Sequence, residues 1–325
     1  MKKGLFIILT FFMAWRAEAQ QLPVYSQYIY NKFLINPAVA GSDGYTSINL
    51  TVREQWVGYA GAPQTYSLSF QTRKLKARWS LKENLFRKTV YRPATDGKVG
   101  FGGSIFSDIN GLVHRTGFTT SYSYHTWLNG QTQLSFGLAF TGYYYKIDQR
   151  NINFDDPDEP WLNTDFRKGM FIPDFHFGTY ILNRKFSAGF SAQELLEGLV
   201  KVGSQAYKDL SIERTYYIFG NYDFDIDNWN TIEPSILVKM SEQLRPQMDL
   251  GLTYVWNNKF WTGLTFRTGS AILANVGVKK DIFFFGYSVD FTLNKIQTTT
   301  YGTHEFVVAL KFGDSARKFR WLDRY

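Results

Sequence analysis

Four histidines and no cysteine bound the chemistry open to this chain. His114, His125, His176 and His304 are the imidazoles available for proton transfer, and a hydrolase would need one beside an activated nucleophile. None stands in a recognisable Ser/His/acid spacing; the nearest arrangement is His304 followed by Glu305. Without cysteine there is no thiol nucleophile, disulfide or thiolate metal ligand. Asp155, Asp156, Asp158 and Glu159 could offer oxygens to calcium, but the run lacks the spaced glycine of a calcium loop, so a solvated acidic turn is the simpler reading. No catalytic, metal or cofactor site is expected. What remains is electrostatic. Residues 73–92 hold Arg73, Lys74, Lys76, Arg78, Lys82, Arg87, Lys88 and Arg92 against Glu83 alone, with Trp79, Leu81, Leu85 and Phe86 interspersed. Cations among apolar anchors can meet lipid headgroups or dock a protein. Lys74, Lys76, Arg78, Trp79, Arg87 and Lys88 are the candidate partner contacts there.

The elements that must position these residues show in the periodicity. In residues 248–256, Met248, Leu250, Leu252, Tyr254 and Trp256 alternate with Asp249, Gly251, Thr253 and Val255. In residues 304–312, Phe306, Val308, Leu310 and Phe312 alternate with Glu305, Val307, Ala309 and Lys311. Period two means strands with one apolar and one polar face. Fourteen such strands are expected, at roughly 45–57, 64–73, 98–107, 112–126, 131–147, 171–182, 185–192, 212–225, 229–241, 247–256, 259–267, 271–279, 281–293 and 303–312. Tight joins at Asn129 and Gly130, Asn183 and Arg184, Asp227 and Asn228, Asn257 and Asn258, and Lys280 alternate with longer ones at 148–170, 193–211 and 294–302.

An even number of amphipathic strands, with aromatics at 18% of the chain and a mean hydropathy of only −0.26, is the pattern of an all-β transmembrane antiparallel up-and-down β-barrel. Short turns face the periplasm in such barrels, which puts both termini there. Residues 1–19 read as an export signal: Lys2 and Lys3, an apolar run over 4–13, and Ala17, Glu18 and Ala19 before Gln20. The expected order is this leader, an irregular or helical periplasmic, plug-like segment at 20–44, a barrel at 45–312 and a periplasmic tail at 313–325. The formal charge is +8; removing three cations and one acid with the leader leaves +6. At an exported address that charge meets outer-membrane lipid or an acidic partner, and excludes nucleic acid. Parity turns Arg53, Glu233, Lys239, Asp249, Arg267, Lys279, Asp290, Glu305 and Lys311 into the lumen, where mixed signs can pair or line a pore.

Four stretches resemble the PorP/SprF family, outer-membrane barrels associated with type IX secretion in Bacteroidota. They are Tyr25, Ser26, Gln27, Tyr28, Asn31 and Asn36 to Gly41; Arg53 to Gly58 with Gly61 to Thr65; Leu244, Arg245 and Pro246 with Phe260 to Leu264 and Arg267; and Gly286 to Asp290 with Gly302 to Glu305. Thr303 stands where the family more usually has Ser, and Gln247 where Ser follows the Arg-Pro pair. The resemblance implies a non-enzymatic role in secretion or gliding machinery. The partners it implies are periplasmic or lipoprotein ring components, or a large secreted surface adhesin. On the matching residues, Gln27, Tyr28, Asn31, Asn36 and Pro37 are expected partner contacts, though they could also tether the N-terminal segment. Arg53, Gln55, Trp56, Arg245, Pro246, Arg267, His304 and Glu305 are expected lumen or structural residues, with Arg53 and Gln55 near carboxylates such as Glu305. Rival expectations are a passive or substrate-specific porin, and a lipid enzyme depending on His304.

Overall fold

The computed structural model describes residues 25–74, 98–128, 131–148, 169–196, 213–242 and 246–312. Its strands are β1 Thr46–Glu54, β2 Gln64–Lys74, β3 Val99–Asn110, β4 Val113–Trp127, β5 Thr132–Ile147, β6 Met170–Asn183, β7 Phe186–Gln193, β8 Thr215–Tyr222, β9 Phe224–Asp225, β10 Thr231–Ser241, β11 Gln247–Trp256, β12 Phe260–Arg267, β13 Ala271–Lys280, β14 Phe283–Thr292 and β15 Thr303–Phe312. β9 continues β8 past a break at Asp223, and both pair with β10, so the wall has fourteen strands. Neighbours pair antiparallel and β1 pairs with β15, which closes the sheet into a barrel. Closure leaves no edge, so every ladder group has a partner inside a hydrocarbon layer.

Alternation decides which way each strand faces. On β1, Ser47, Asn49, Thr51 and Arg53 are buried, while Leu50 between them is exposed. Leu68, Phe70, Ile105, Leu138, Leu252, Leu264 and Phe306 continue an exposed apolar belt around the wall. Such a belt is costly in water at about 25 cal/mol per Å² and favourable against lipid. A one-residue slip would bring the buried polar set outward, so the belt also fixes register.

The joins define two mouths. At the short-turn mouth β1 begins and β15 ends. There Asn257 and Asn258 take φ of 54° and 51°, left-handed values that Asn tolerates, and Lys259 N donates to Trp256 O at 3.1 Å. The β13–β14 turn falls one residue later than expected: Lys280 pairs with Phe283, and Asp281 (φ 55°) and Ile282 make the turn. The opposite, long-loop mouth carries the other crossings, most of them longer, although the long connection from Lys74 to Val99 falls at the short-turn mouth.

The lumen is filled by the chain itself. Residues 25–45 form no strand but run through the barrel, with 3-10 turns at Lys32–Leu34 and Pro37–Val39. Asn36 caps the second turn, its side chain accepting from Ala38 N at 2.9 Å. The segment starts near the long-loop mouth, where Ser26 meets Glu305 at the beginning of β15. It ends at the short-turn mouth, where Asp43 lies 3.8 Å from Lys311. The segment expected to be periplasmic and plug-like runs inside the lumen as a plug, and the first described residue, Tyr25, lies at the mouth opposite to Phe312. Tyr28, Tyr30, Phe33, Ile35, Val39 and inward residues Tyr180, Phe219, Leu237, Trp261 and Phe284 form one buried apolar core. Trp261 stacks on Phe284 at 4.3 Å and meets Tyr30 at 4.9 Å. The wall admits the plug by lacking side chains at the contact: a Cβ on Gly137 would clash with the Ala38 backbone, and one on Gly178 with the Asn36 side chain.

Candidate functional site

Residues from all four motif-bearing stretches, Ser26 and Gln27, Arg53, Arg267, and Asp290 with Glu305, meet at the long-loop mouth, where the wall closes on itself. Register places Arg53 opposite Glu305 across the β1–β15 seam. Arg53 NH1 donates to Glu305 Oε2 at 3.1 Å and NH2 to Asp290 Oδ2 at 2.8 Å. Arg267 on β12 grips Asp249 on β11 through Nε and NH2, at 3.0 and 2.7 Å, and its NH1 lies 3.7 Å from Asp290. All five ionised side chains are buried. Removing such charges from water costs several kcal/mol each, an expense offset only when partners are close and remaining lone pairs are satisfied.

The plug supplies those remaining bonds. The Ser26 and Gln27 backbone N–H groups donate to the two Glu305 oxygens at 2.7 and 2.8 Å. The Ser26 hydroxyl accepts from Arg53 and donates to Asp290 at 2.7 Å, so one hydroxyl joins both ions. Gln27 Nε2 donates to the Glu305 carbonyl at 3.1 Å. Just above, Trp56 (φ 46°) donates its backbone N–H to Thr303 Oγ1 at 3.2 Å, and Val57 and Tyr301 bridge the two flanking loops through their backbones. Both ring nitrogens of His304 are engaged, with the Tyr287 hydroxyl at 2.6 Å and the Tyr301 carbonyl at 3.2 Å.

Further anchors follow the plug inward. Asn31 donates to Ser69 at 3.1 Å, and Asn36 Nδ2 to the Thr179 carbonyl at 2.9 Å. Ser191 donates to the Ile35 carbonyl at 2.5 Å. His125 and Ser123 hold the Ala40 carbonyl at 3.0 and 2.6 Å, and Gln133 donates to the Ser42 carbonyl at 3.1 Å. These bonds correct one expectation. Gln27, Tyr28, Asn31, Asn36 and Pro37 are buried inside the barrel and face its wall, so they are not surface contacts for another protein. Their polar groups satisfy a chain that has no sheet of its own.

Of the other expected residues, Gln55 is half-buried and ties its N–H to the Pro63 carbonyl at 2.8 Å; Pro246 is exposed before β11. Lys74 is exposed at the end of β2. Lys76, Arg78, Trp79, Arg87, Lys88 and Arg245 lie outside the described residues, as do the acidic run 155–159 and most of 193–211. Glu233 and Lys239 are buried in the lumen, and Lys279 and Lys311 are half-buried.

A second buried cluster at the same mouth had no signal in the sequence. Arg115 on β4 lies 3.7 Å from Glu194 Oε1 and 4.8 Å over the Tyr143 ring. Glu194, just past the end of β7, takes φ of 57°, and the Tyr143 hydroxyl reaches its carboxyl at 3.5 Å. Burial pushes the Glu194 carboxyl up to about 7, against the pull of Arg115. Nearby Asp174 Oδ2 and His176 Nε2 have no hydrogen-bond partner among the described residues.

Comparisons with known proteins give one family and several remote structural likenesses. A family model described as type IX secretion system membrane protein PorP/SprF matches residues 17–310. No curated protein sequence matches. Among solved structures the chain is similar to the Ralstonia pickettii toluene transporter TbuX, at 10% identity over 86% of this chain and 92% of that one, with TM-score 0.46. It is also similar to the KdgM porin, at 9% identity over 82% and 99%, TM-score 0.36. A mutant of the Rh. blastica porin gives 8% identity over the same shares, TM-score 0.33. Likenesses this remote carry no argument about what passes through, or binds, this barrel.

Proposed function

The chain belongs to the PorP/SprF family of type IX secretion system membrane proteins, and from that premise we propose that this outer-membrane barrel works by binding, as a closed platform for protein export. The observation that carries the reading is the occupied lumen. A conduit needs an open path, whereas here residues 25–45 fill the barrel and are tied to its wall from one mouth to the other. A passive porin would have to displace that segment first.

In this reading the partners are other secretion components, periplasmic or lipoprotein-linked, or a large secreted adhesin that the barrel helps to anchor or display. With the plug residues covered, the contacts fall on the rims. The short-turn mouth faces the periplasm and carries Lys74, where the basic stretch leaves β2, while Arg73 turns inward and donates to Gln133 at 2.8 Å. The longer crossings 148–170 and 193–211 meet the exported partner. Residues 1–19 act as the export signal. The lipid-enzyme reading gains nothing from His304, both of whose ring nitrogens are already bonded.

Affinity purification of the tagged barrel from detergent-solubilised native envelopes tests the proposal. Co-purification of secretion-ring components, or of one large secreted protein, is the expected result. A barrel recovered alone under conditions that preserve other envelope complexes contradicts it.

A further inference from the structure

The cluster around Arg115 holds more buried acid than its cation balances. Asp108, Asp174 and Glu194 are all buried there. Asp108 takes the Thr65 hydroxyl at 2.7 Å and is also under the influence of Lys239 on β10, which leaves Arg115 as the cation beside Glu194. The carboxyls of Glu194 and Asp174 lie within hydrogen-bonding reach of each other. Two carboxyls bond only when one keeps its proton, and burial favours keeping it. Asp174 Oδ1 is already filled by the Phe175 and Leu196 N–H groups at 2.6 and 3.1 Å, so Oδ2 is the acceptor available to that proton. The remaining faces carry Tyr143 from β5, Tyr217 from β8 and the His176 imidazole from β6, none a cation at neutral pH.

The acid pair sits where β7 ends and the chain turns away from the wall. Glu194 keeps φ at 57°, a left-handed backbone that a non-glycine residue adopts only when its surroundings hold it there. Next along the chain, Leu195 N donates to the Phe175 carbonyl at 3.1 Å and Leu196 N to Asp174. From the other side Arg214, just ahead of β8, donates Nε to the Leu195 carbonyl at 3.3 Å. Residues 194–196 are therefore a short strap laid on β6. One member of the acid pair belongs to the strap, and the other binds it.

We propose that Asp174 and Glu194 form a proton-operated clasp on residues 194–196, so that the long-loop mouth has two forms at this point, chosen by pH. With one proton shared between the carboxyls, the strap stays on β6. When that proton leaves to solvent, two buried carboxylates face each other with one guanidinium 3.7 Å from Glu194, and the strap lifts until Glu194 reaches water. The seam ion pairs and the bonds of the plug involve none of these residues and stay in place. The clasp is a property of the barrel alone and needs no partner.

The chain has no cysteine, so a single introduced thiol can be labelled alone. The test places a nitroxide on Leu196→Cys in the full barrel, in phosphatidylcholine nanodiscs, and follows its EPR spectrum from pH 5 to pH 9. An immobilised label at pH 5 should give way to a mobile one, its correlation time falling about threefold with a midpoint at about 7. Glu194→Gln, whose amide donates to Asp174 at every pH, should hold the label immobile across the whole range. Heat-modifiable gel mobility checks that each variant is folded. A spectrum that does not change with pH overturns the proposal, as does a transition that survives in Glu194→Gln. The same transition from a label on Gln297→Cys, at the same mouth but away from the cluster, also overturns it, since that would be loosening of the whole rim.

Discussion

At the long-loop mouth, two buried charged regions face the same lumen with the same residue types but different ion-pair distances and different donors. Around the seam, Arg53 and Arg267 sit within 3.1 Å of carboxylates, and plug N–H groups occupy both oxygens of Glu305. Across the lumen, Arg115 and Glu194 stand 3.7 Å apart, Glu194 holds a left-handed backbone, and Asp174 takes its donors from the Phe175 and Leu196 backbones rather than from the plug. The difference is the plug. Where Ser26 and Gln27 reach the wall, plug donors bridge short ion pairs and tie plug to barrel, with Arg53 Nε and Gln27 Oε1 left without a partner among the described residues. Where no donor from residues 25–45 arrives, the ion pair is longer, at 3.7 Å. A buried charge pair is structural here only when a third element completes it.

Removing each arginine should separate the two regions most strongly. Arg53→Ala leaves Asp290 and Glu305 buried without their cation, and should lower unfolding free energy in lipid vesicles by about 3 to 5 kcal/mol. Arg115→Ala removes only a long contact and should cost roughly 1 to 3 kcal/mol. Equal losses in urea titrations would erase the distinction.

Next in size is a steric wedge at a position remote from either cluster. Gly178→Val puts a side chain where Asn36 lies and should free the middle of the plug. Hydrogen exchange of residues 35–40 should rise at least tenfold while residues 26 and 27, held by Glu305, change less. Uniform exchange along the plug would mean the seam is no stronger an anchor than the rest.

A pH series should sharpen the contrast further. Burial raises the Glu194 carboxyl from 4.5 to about 7, so the folded protein keeps a proton that the unfolded chain releases earlier. Stability from this group therefore falls as pH rises from about 4.5 to about 7 and levels off above. Glu194→Gln should flatten that slope in thermal melts; an unchanged slope would place the titration elsewhere. The smallest effect belongs to the exposed β9–β10 turn, where the Asn230 side chain and the Trp229 N–H hold Asp227 below the ordinary carboxylate value. Its contribution is present above pH 3.8 and is lost as pH falls through the lower folded value. An NMR titration should show that depressed midpoint, and Asn230→Ala should move it upward.

Most of the wall was legible because a strand with one face in lipid writes period two into the chain. Parity alone turned Arg53, Asp249, Arg267, Asp290 and Glu305 inward, and the resemblance drew attention to Arg53 and Glu305. Trp261 shares the parity of the inward Arg267, but nothing in the pattern revealed that Trp261 and Phe284 would make an apolar bed for Tyr30. That bed exists only because the plug does. The plug itself has no period; a plug-like role could be expected for 20–44, but neither its depth in the lumen nor its direction could be read. Ser26 bridges two ions that lie 237 and 252 positions from Arg53 in sequence, a geometry visible only once the seam has closed. The Arg115 cluster left no trace because its members come from separate strands and a loop, with no common spacing.

Single-channel conductance in planar bilayers tests the central claim most directly, comparing the intact barrel with one lacking residues 25–42. A plug locked into the seam predicts a silent intact barrel and stable conductance from the shortened one. Steady conductance from the intact, folded barrel would contradict the closed platform.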